Sequence, residues 1–205
     1  LLTVKELQKE LGKNNKFKND IDLLVDQSNR CRDILKKLSL NPNIEDKFVD
    51  ANLSLYDYVY EIIRSFKEIS KKEFIVNSEN YQIKIISGKS LEIMYGLRNF
   101  IGNANKFSNK KIEIFLDSDK KNTQVTIRDD GPGFPKDLID KHILGEPYIR
   151  TSNEADISKY GLGLGTFIGK TLLEKNFAII DFRNSEKTGG AEVIIKWQNN
   201  ELKKI

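Results

Sequence analysis

The 205-residue sequence has few of the residues that usually mark a cross-linked or metal-bound protein, with one cysteine, one histidine and one methionine. A single cysteine excludes an internal disulfide and a cysteine-cluster metal site, and it favours a reducing compartment. No apolar run approaches the roughly 20 residues that a membrane-spanning helix needs, and there is no signal-peptide pattern. Because residue 1 is Leu and the only methionine is Met94, we expect the chain to be part of a longer protein.

Charge gives little reason to expect a nucleic-acid partner. Charged residues make up 31% of the chain and hydrophobic residues 39%, a balance typical of globular domains. The net charge is only +4, and the lysines are scattered among acidic residues instead of forming a basic stripe. A chain of this length can bury one core and carry a smaller appendage.

Residues 1–40 favour two helices joined by a turn. Apolar residues recur at spacings of three and four in residues 1–12 and again in 17–39, with a turn signal between them. So small a hairpin cannot bury its apolar seam alone, and we therefore expect it to pair with a second copy. Asn41-Pro42-Asn43 breaks the helix and begins a linker predicted over residues 41–53.

Residues 54–199 favour a mixed domain of helices and strands. The apolar periodicity predicts helices over 55–66, 91–107 and 165–175, and strands over 73–77, 81–87, 111–116, 124–128, 177–183 and 191–197. Residues 134–160 predict a long loop with one short helix, and loops of that length often serve as lids. The predicted fold class is α+β, a two-layer sandwich with a mixed, mostly antiparallel sheet and helices on one face.

The first candidate site lies on the predicted helix 91–107. Asn99, Asn103 and Lys106 are spaced at i, i+4 and i+7, which places them on one face of that helix. An amide oxygen is a suitable ligand for Mg²⁺, and a lysine one turn later can offset phosphate charge. A solvated polar stripe would have the same pattern.

The second candidate site is Asp129-Asp130-Gly131-Pro132-Gly133, which follows a predicted strand. A carboxylate at a strand end can accept a hydrogen bond from an adenine amino group. Glycines let the backbone approach a flat base without a Cβ in the way. An ordinary Asp-Gly turn is the alternative interpretation.

The third candidate site is Gly161-Leu162-Gly163-Leu164-Gly165, which opens a predicted helix. Free backbone N–H groups there can bind an anion, and the glycines permit a close approach. A dinucleotide-binding fingerprint is excluded because a polar loop, and no strand, precedes the glycines. The run 165–171 is similar to a phosphate-binding loop but is one residue too short and lies within the predicted helix.

In this order and spacing, the three motifs resemble the asparagine box and the two glycine boxes of sensor histidine kinases. The resemblance extends to the wider ATPase superfamily that includes Hsp90, type II topoisomerases and MutL. Residues 146–150 resemble the aromatic box of the kinase lid, with Tyr148 in place of the usual Phe. The predicted hairpin and the runs 27–35, 95–99 and 161–173 look like the RegB/PrrB redox-responsive type, and the match covers roughly residues 55–197.

The resemblance implies a Bergerat-type fold that binds ATP with Mg²⁺. It implies that Asn103 coordinates the metal with Asn99 close by, that Lys106 contacts phosphate, and that Asp129 accepts from the adenine amino group. The other residues implied at the nucleotide are Gly131 and Gly133 beside adenine, Tyr148 in the lid, Arg150 near the phosphates, and Gly161, Leu162, Gly163, Leu164 and Gly165 closing over the phosphates.

The resemblance also implies a protein-histidine kinase that transfers the γ-phosphoryl group to a histidine, for relay to a response-regulator aspartate. That histidine would precede Leu1, so we expect this chain to bind ATP without phosphorylating itself, and His142 in the predicted lid is a poor substitute. The full-length protein would be a homodimer through the hairpin, anchored in the bacterial inner membrane by earlier segments, with this part in the cytoplasm. Two alternatives stay open: another ATPase of the superfamily, such as an anti-sigma serine kinase, and a non-catalytic nucleotide-binding dimerisation module.

Cys31 has two interpretations. As a small apolar residue in a helix seam it needs no further role. It also lies on a helix expected to dimerise, between Arg30 and Arg32, whose charges favour the thiolate. In kinases of the resembled type a cysteine in this region is implicated in redox control, which makes Cys31 a redox candidate.

We expect diamide to link two chains through Cys31, because it is the only cysteine in the sequence and lies in the predicted dimer seam. A non-reducing gel should show a dimer band that a reductant removes. The Cys31→Ser chain should give no such band, and a crosslink of equal strength in that variant would rule out the redox interpretation.

Overall fold

The computed structural model describes residues 53–81, 86–87, 90–146 and 164–204. They belong to the second of two units into which the chain divides, Ala51–Ile205. The predicted hairpin over residues 1–40 and nearly all of the linker 41–53 lie outside the described residues, so these domain boundaries stay a prediction. The described elements are β1 (Leu53–Ser54), α1 (Leu55–Lys67), β2 (Glu73–Asn77), β3 (Ile86–Ser87), α2 (Leu91–Phe107), β4 (Lys111–Ser118), β5 (Asn122–Asp129), α3 (Lys136–Asp140), α4 (Leu164–Lys175), β6 (Ile179–Asn184), β7 (Ala191–Gln198) and α5 (Asn199–Leu202).

A five-stranded sheet forms one layer of the domain, in the order β2-β4-β5-β7-β6. β2 runs parallel to β4, and every other neighbouring pair in this sheet is antiparallel. β1 and β3 form a separate antiparallel pair. The predicted α+β class with a mixed, mostly antiparallel sheet is confirmed.

Alternation along the central strands separates a buried face from an exposed one. Ile112, Ile114 and Leu116 of β4 are buried, and the residues between them are partly exposed. Side chains on successive residues of a strand point to opposite faces, so this pattern indicates that helices cover one face only. Trp197 of β7 lies fully buried on that face, where its indole N–H donates to the main-chain oxygen of Asn176 at 3.1 Å.

Serine caps begin the two helices that precede the central strands. Ser54 and Asp57 form a capping box at the start of α1, in which each side chain accepts from the other residue's backbone N–H. The hydroxyl of Ser90 accepts from the N–H of Ile93 at the start of α2. No helix in the described part of the chain is long and apolar enough to cross a membrane.

The strand predicted over 177–183 begins two residues later than expected. The N–H of Ala178 donates to the oxygen of Leu173, and Phe177 has a left-handed backbone with φ of 62°. This is the closing turn of α4, in which a left-handed residue follows the last helical turn. Phe177 therefore ends the helix instead of starting the strand, and its side chain is 54% exposed.

Helices α2 and α4 pack closely because each offers a glycine to the other. A Cβ on Gly96 of α2 would lie 2.5 Å from Cγ of Leu173, a fully buried residue of α4. A Cβ on Gly169 of α4 would lie 3.0 Å from the ring of Phe100 of α2. A larger residue at Gly96 would displace Leu173, and one at Gly169 would require the ring of Phe100 to shift slightly.

We expect Gly96→Ala to lower the free energy of unfolding by about 1–3 kcal/mol, as overpacking of a filled core does. The matched control is Gly102→Ala in the same helix, where a Cβ would lie 3.3 Å from the ring end of half-buried Phe66. Because alanine favours a helix over glycine by up to about 1 kcal/mol, the control should be neutral or stabilising. Urea unfolding measures both, and equal stability of the two variants would contradict the close packing.

Candidate functional site

Two of the asparagines of α2, Asn99 and Asn103, present their amide oxygens to the start of α4. Nδ2 of Asn99 donates to the main-chain oxygen of Tyr95 at 2.9 Å, and Nδ2 of Asn103 donates to Oγ1 of Thr166 at 3.2 Å. A Cβ on Gly165 would lie 3.4 Å from Oδ1 of Asn103 and 3.6 Å from Oδ1 of Asn99. Both amide oxygens therefore lie beside the first turn of α4, and Nδ2 of Asn103 bonds that same turn at Thr166.

This arrangement fits a hard cation that is shared with phosphate. Amide oxygens are ligands that Mg²⁺ accepts while it keeps water and phosphate oxygens in its shell. The first N–H groups of a helix have no partner within the helix, so the start of α4 can donate to the same anion. In residues 53–81, 90–146 and 164–204, no group of three or more His, Cys, Asp or Glu side chains could hold a metal ion instead.

Asp129 ends β5 and is almost completely buried, with 5% of its surface exposed. Its Oδ1 accepts from the backbone N–H of Gly131 at 2.8 Å and of Ala191 at 3.1 Å. Burial raises the pKa of this carboxyl above its usual value, although those two bonds and the charge of Lys72 act in the opposite direction. Among the described residues no group donates to Oδ2, which leaves that oxygen as the available acceptor.

The adjacent Asp130 has the opposite environment. Its side chain accepts from the backbone N–H groups of Asn109, Lys110 and Lys111 at 2.8–3.2 Å. Slight burial would raise the pKa of Asp130, but these main-chain donors outweigh it and hold the pKa below its usual value. Asp130 therefore closes the turn between α2 and β4, whereas Asp129 faces the candidate site.

The loop between β6 and β7 holds Asp129 from the other side. Oγ1 of Thr188 donates to the main-chain oxygen of Asp129 at 2.8 Å, and it accepts from the N–H of Gly190. A Cβ on Gly190 would collide with the main chain of Asp129. Residues 187–190 lie between two predicted strands and were not predicted to belong to the site. The Gly189-Gly190 pair was the available signal, because adjacent glycines also occur where two backbones meet.

Asn184 at the end of β6 fixes the second glycine of the Asp129–Gly133 motif. Its Oδ1 accepts from the N–H of Phe134 at 2.6 Å, and its Nδ2 donates to the main-chain oxygen of Phe134 at 2.8 Å. Gly133 has φ of 76°, and a Cβ there would lie 2.7 Å from Oδ1 of Asn184. Nothing in the local sequence around Asn184 pointed to this contact across 50 residues.

The end of α2 connects the two parts of the site. Lys106 is exposed, and its Nζ lies 5.2 Å from the ring centroid of Phe107. A Cβ on Gly131 would collide with the main-chain oxygen of Phe107. The structure places Asn99 and Asn103 beside Gly165, and Gly131 between Asp129 and the end of α2. The predicted site residues in its described part are Asn99, Asn103, Lys106, Asp129, Gly131, Gly133, Leu164 and Gly165. The other predicted residues lie outside it: Cys31, Tyr148, Arg150, Gly161, Leu162 and Gly163.

The chain is similar to histidine kinases in sequence. Residues 88–201 match the family described as histidine kinase-, DNA gyrase B-, and HSP90-like ATPase. The sensor histidine kinase RegB of Cereibacter sphaeroides is 29% identical over 200 residues, which are 90% of this chain and 41% of RegB. The sensor histidine kinase CpxA of Escherichia coli is 31% identical over 99 residues, which are 48% of this chain and 21% of CpxA. The chain therefore spans less than half the length of these relatives.

Solved structures share the fold. A mycobacterial sensor histidine kinase, MprB, aligns with a TM-score of 0.58 at 20% identity, over 71% of this chain and 96% of its own. The histidine kinase AdeS of Acinetobacter baumannii aligns with a TM-score of 0.57 at 17% identity, over 97% of this chain and 95% of its own.

We expect Asp129→Asn to raise the free energy of unfolding at pH 7, measured by urea titration without ligand. The amide keeps an acceptor for Gly131 and Ala191 but removes a buried charge. Because folding raises the pKa of Asp129, its ionised form costs stability above that pKa, and the cost is absent below the unfolded value of about 3.9. The advantage of the variant should therefore shrink as the pH falls towards about 4.

Asp130→Asn is the matched control and should have the opposite sign. Folding lowers the pKa of Asp130, so its ionised form adds stability above the unfolded pKa, and this is lost as the pH falls through the folded pKa. A destabilised Asp129→Asn beside a stabilised Asp130→Asn would contradict the assignment of the two carboxyls.

Proposed function

The chain belongs to the histidine kinase-, DNA gyrase B- and HSP90-like ATPase family, and from that membership we propose that it is the ATP-binding kinase core of a two-component sensor histidine kinase. The observation that carries the proposal is the meeting of the Asn99 and Asn103 amide oxygens with the first turn of α4. Similarity to RegB and CpxA, both named sensor histidine kinases, supports the kinase assignment over other activities in the family.

The phosphates and a magnesium ion would be bound between α2 and α4. Asn103 would supply an oxygen ligand to the ion, with Asn99 next to it, and the first N–H groups of α4 would donate to phosphate oxygens. Lys106, one turn after Asn103, would add a positive charge. Such a site needs little covalent chemistry of its own, because phosphoryl transfer depends chiefly on positioning and on offsetting charge.

Adenine would be recognised by Asp129. Its Oδ1 is held by Gly131 and Ala191, so Oδ2 is the oxygen that can accept from an exocyclic amino group. Guanine has a carbonyl at the corresponding position, and a carbonyl facing a carboxylate would leave two acceptors without a donor. The site should therefore prefer ATP to GTP, with Gly131 and Gly133 leaving room for the base.

The complete protein would do more than this chain can. It would transfer the γ-phosphoryl group to a histidine that precedes Leu1, for relay to the aspartate of a response regulator. It would act as a homodimer through residues 1–40, with Cys31 as a candidate for redox control. Further segments would anchor it in the bacterial inner membrane, with this part in the cytoplasm.

We expect calorimetry to detect binding of ATP with Mg²⁺ to the 205-residue chain, and Asp129→Asn to weaken it by about 10–100-fold, the usual effect of losing a charge-assisted hydrogen bond. Asp130→Asn is the control, because Asp130 is engaged with the main chain of residues 109–111. Because an amide oxygen at position 130 still accepts from those N–H groups, this variant should bind ATP far more tightly than Asp129→Asn does.

Transfer of labelled phosphate from ATP to a separately supplied hairpin carrying the phosphoacceptor histidine separates a kinase from its alternatives. A kinase core labels the hairpin, and Asn103→Ala prevents the labelling. Tight ATP binding without any transfer would favour a non-catalytic nucleotide-binding module, and labelling of a serine on another protein would favour an anti-sigma kinase. Unchanged affinity in Asp129→Asn would refute the adenine assignment.

A further inference from the structure

Lys72, in the loop between α1 and β2, reaches the C-terminal end of α2. Its ammonium donates to the main-chain oxygens of Asn105, Lys106 and Ser108, the last at 2.5 Å and the second at 3.4 Å. The side chain is half-buried, whereas the neighbouring Lys71 is exposed. These contacts join segments that are more than 30 residues apart.

The end of α2 is a site where a cation has a specific use. The last carbonyls of a helix have no partner within it, and they carry the negative end of the helix dipole. An ammonium has three donors, and Lys72 directs them at three oxygens of this turn. A second contact fixes the same loop, since Oγ of Ser70 donates to Oδ1 of Asn105 at 2.7 Å.

The turn that Lys72 closes carries parts of both halves of the candidate site. Lys106, the proposed phosphate contact, lies in it, and the main-chain oxygen of Phe107 lies directly against Gly131 of the adenine turn. The N–H groups that follow, from Asn109 to Lys111, hold Asp130. A shift of this turn would displace both Lys106, the proposed phosphate contact, and Gly131, which we propose lies beside adenine.

We propose that Lys72 is a positioning residue of the nucleotide site, which fixes the end of α2 so that Lys106 and the Asp129–Gly133 turn keep their relative places. The inference rests on the proposed function, because it concerns the same ATP site. It adds a residue outside the three motifs, on a loop that precedes them in the chain.

The charge of Lys72 has a second effect, on Asp129. Burial raises the pKa of Asp129, bonds from Gly131 and Ala191 lower it, the charge of Asp130 raises it, and the charge of Lys72 lowers it. These are the charged groups and donors that act on Asp129 from the elements packed against it. Lys72 therefore helps to keep Asp129 ionised, the form that accepts from an adenine amino group. As the pH is lowered, a chain without the charge of Lys72 should begin to lose ATP binding at a higher pH than the unaltered chain.

The test is calorimetry of ATP with Mg²⁺ between pH 5 and 8 on the 205-residue chain and three variants. Lys72→Met removes charge and donors, so Lys106 and Gly131 lose a contact that holds them in place. It should raise the Kd about tenfold at pH 7.5, a common cost of removing a residue that supports a binding group. Lys72→Gln removes the charge and keeps an amide donor, so it covers the case in which the Met variant folds poorly. Lys71→Met is the matched control on the neighbouring exposed lysine.

Both Lys72 variants should lose affinity at a higher pH than the unaltered chain, whereas Lys71→Met should follow the unaltered chain throughout. If Lys72 only capped α2, its loss would lower the stability of the domain or the fraction of folded chains that can bind ATP. It would not change the pH at which binding is lost. If the unaltered chain binds ATP and the Lys72 variants keep either its Kd or its pH profile, this inference is wrong and the proposed function stands. If the unaltered chain does not bind ATP, the proposed function fails and the inference with it.

Discussion

The packing of α2 against α4 is the contact on which the candidate site depends. Each helix has a glycine where a side chain of the other helix packs against it: Leu173 packs on Gly96, and Phe100 packs on Gly169. Both glycines cost helix stability, which only the tertiary contact can offset. Close approach at these two points brings the first turn of α4 to the amide oxygens of Asn99 and Asn103. The same packing therefore builds the core and brings together the groups that we propose to bind metal and phosphate.

Two adjacent carboxyls at the end of β5, those of Asp129 and Asp130, have different environments and different effects on stability. Asp130 is surrounded by main-chain donors and stabilises the turn in which it lies. Asp129 is buried, and its environment raises its pKa, so its ionised form works against folding. A buried acceptor that costs stability is a frequent mark of a functional position. The fold accommodates it through hydrogen bonds from Oγ1 of Thr188 and the N–H of Ala191, on a hairpin far along the chain.

Polar side chains join elements that the sheet alone would leave loosely connected. Asn176 accepts from Ser90 at the start of α2, donates to Glu92, and receives the indole N–H of Trp197 on its main-chain oxygen. On the exposed face of the sheet, Glu192 is 1% exposed because Arg128 and Arg183 enclose it. A buried charge of this kind is tolerable only when it is paired, and the pairing ties β5, β7 and β6 together. These ties stiffen the frame around the site.

The sequence alone was sufficient to predict the helix Leu91–Phe107, the strands around Asp129 and the α+β class, because 3.6- and 2-residue periodicities are local properties of the chain. The motif residues could also be identified from their types and spacing. The sequence also favoured one face of α2 for Asn99, Asn103 and Lys106. It could not separate the roles of Asp129 and Asp130, since two identical neighbouring side chains differ here in burial and in their donors, which are Gly131 and Ala191 for Asp129 and residues 109–111 for Asp130. Likewise the sequence predicted a strand at Phe177, where α4 ends in a left-handed turn. Lys72, Asn184 and Thr188 entered the site only through contacts between segments 30–60 residues apart, which packing decides and local pattern does not encode.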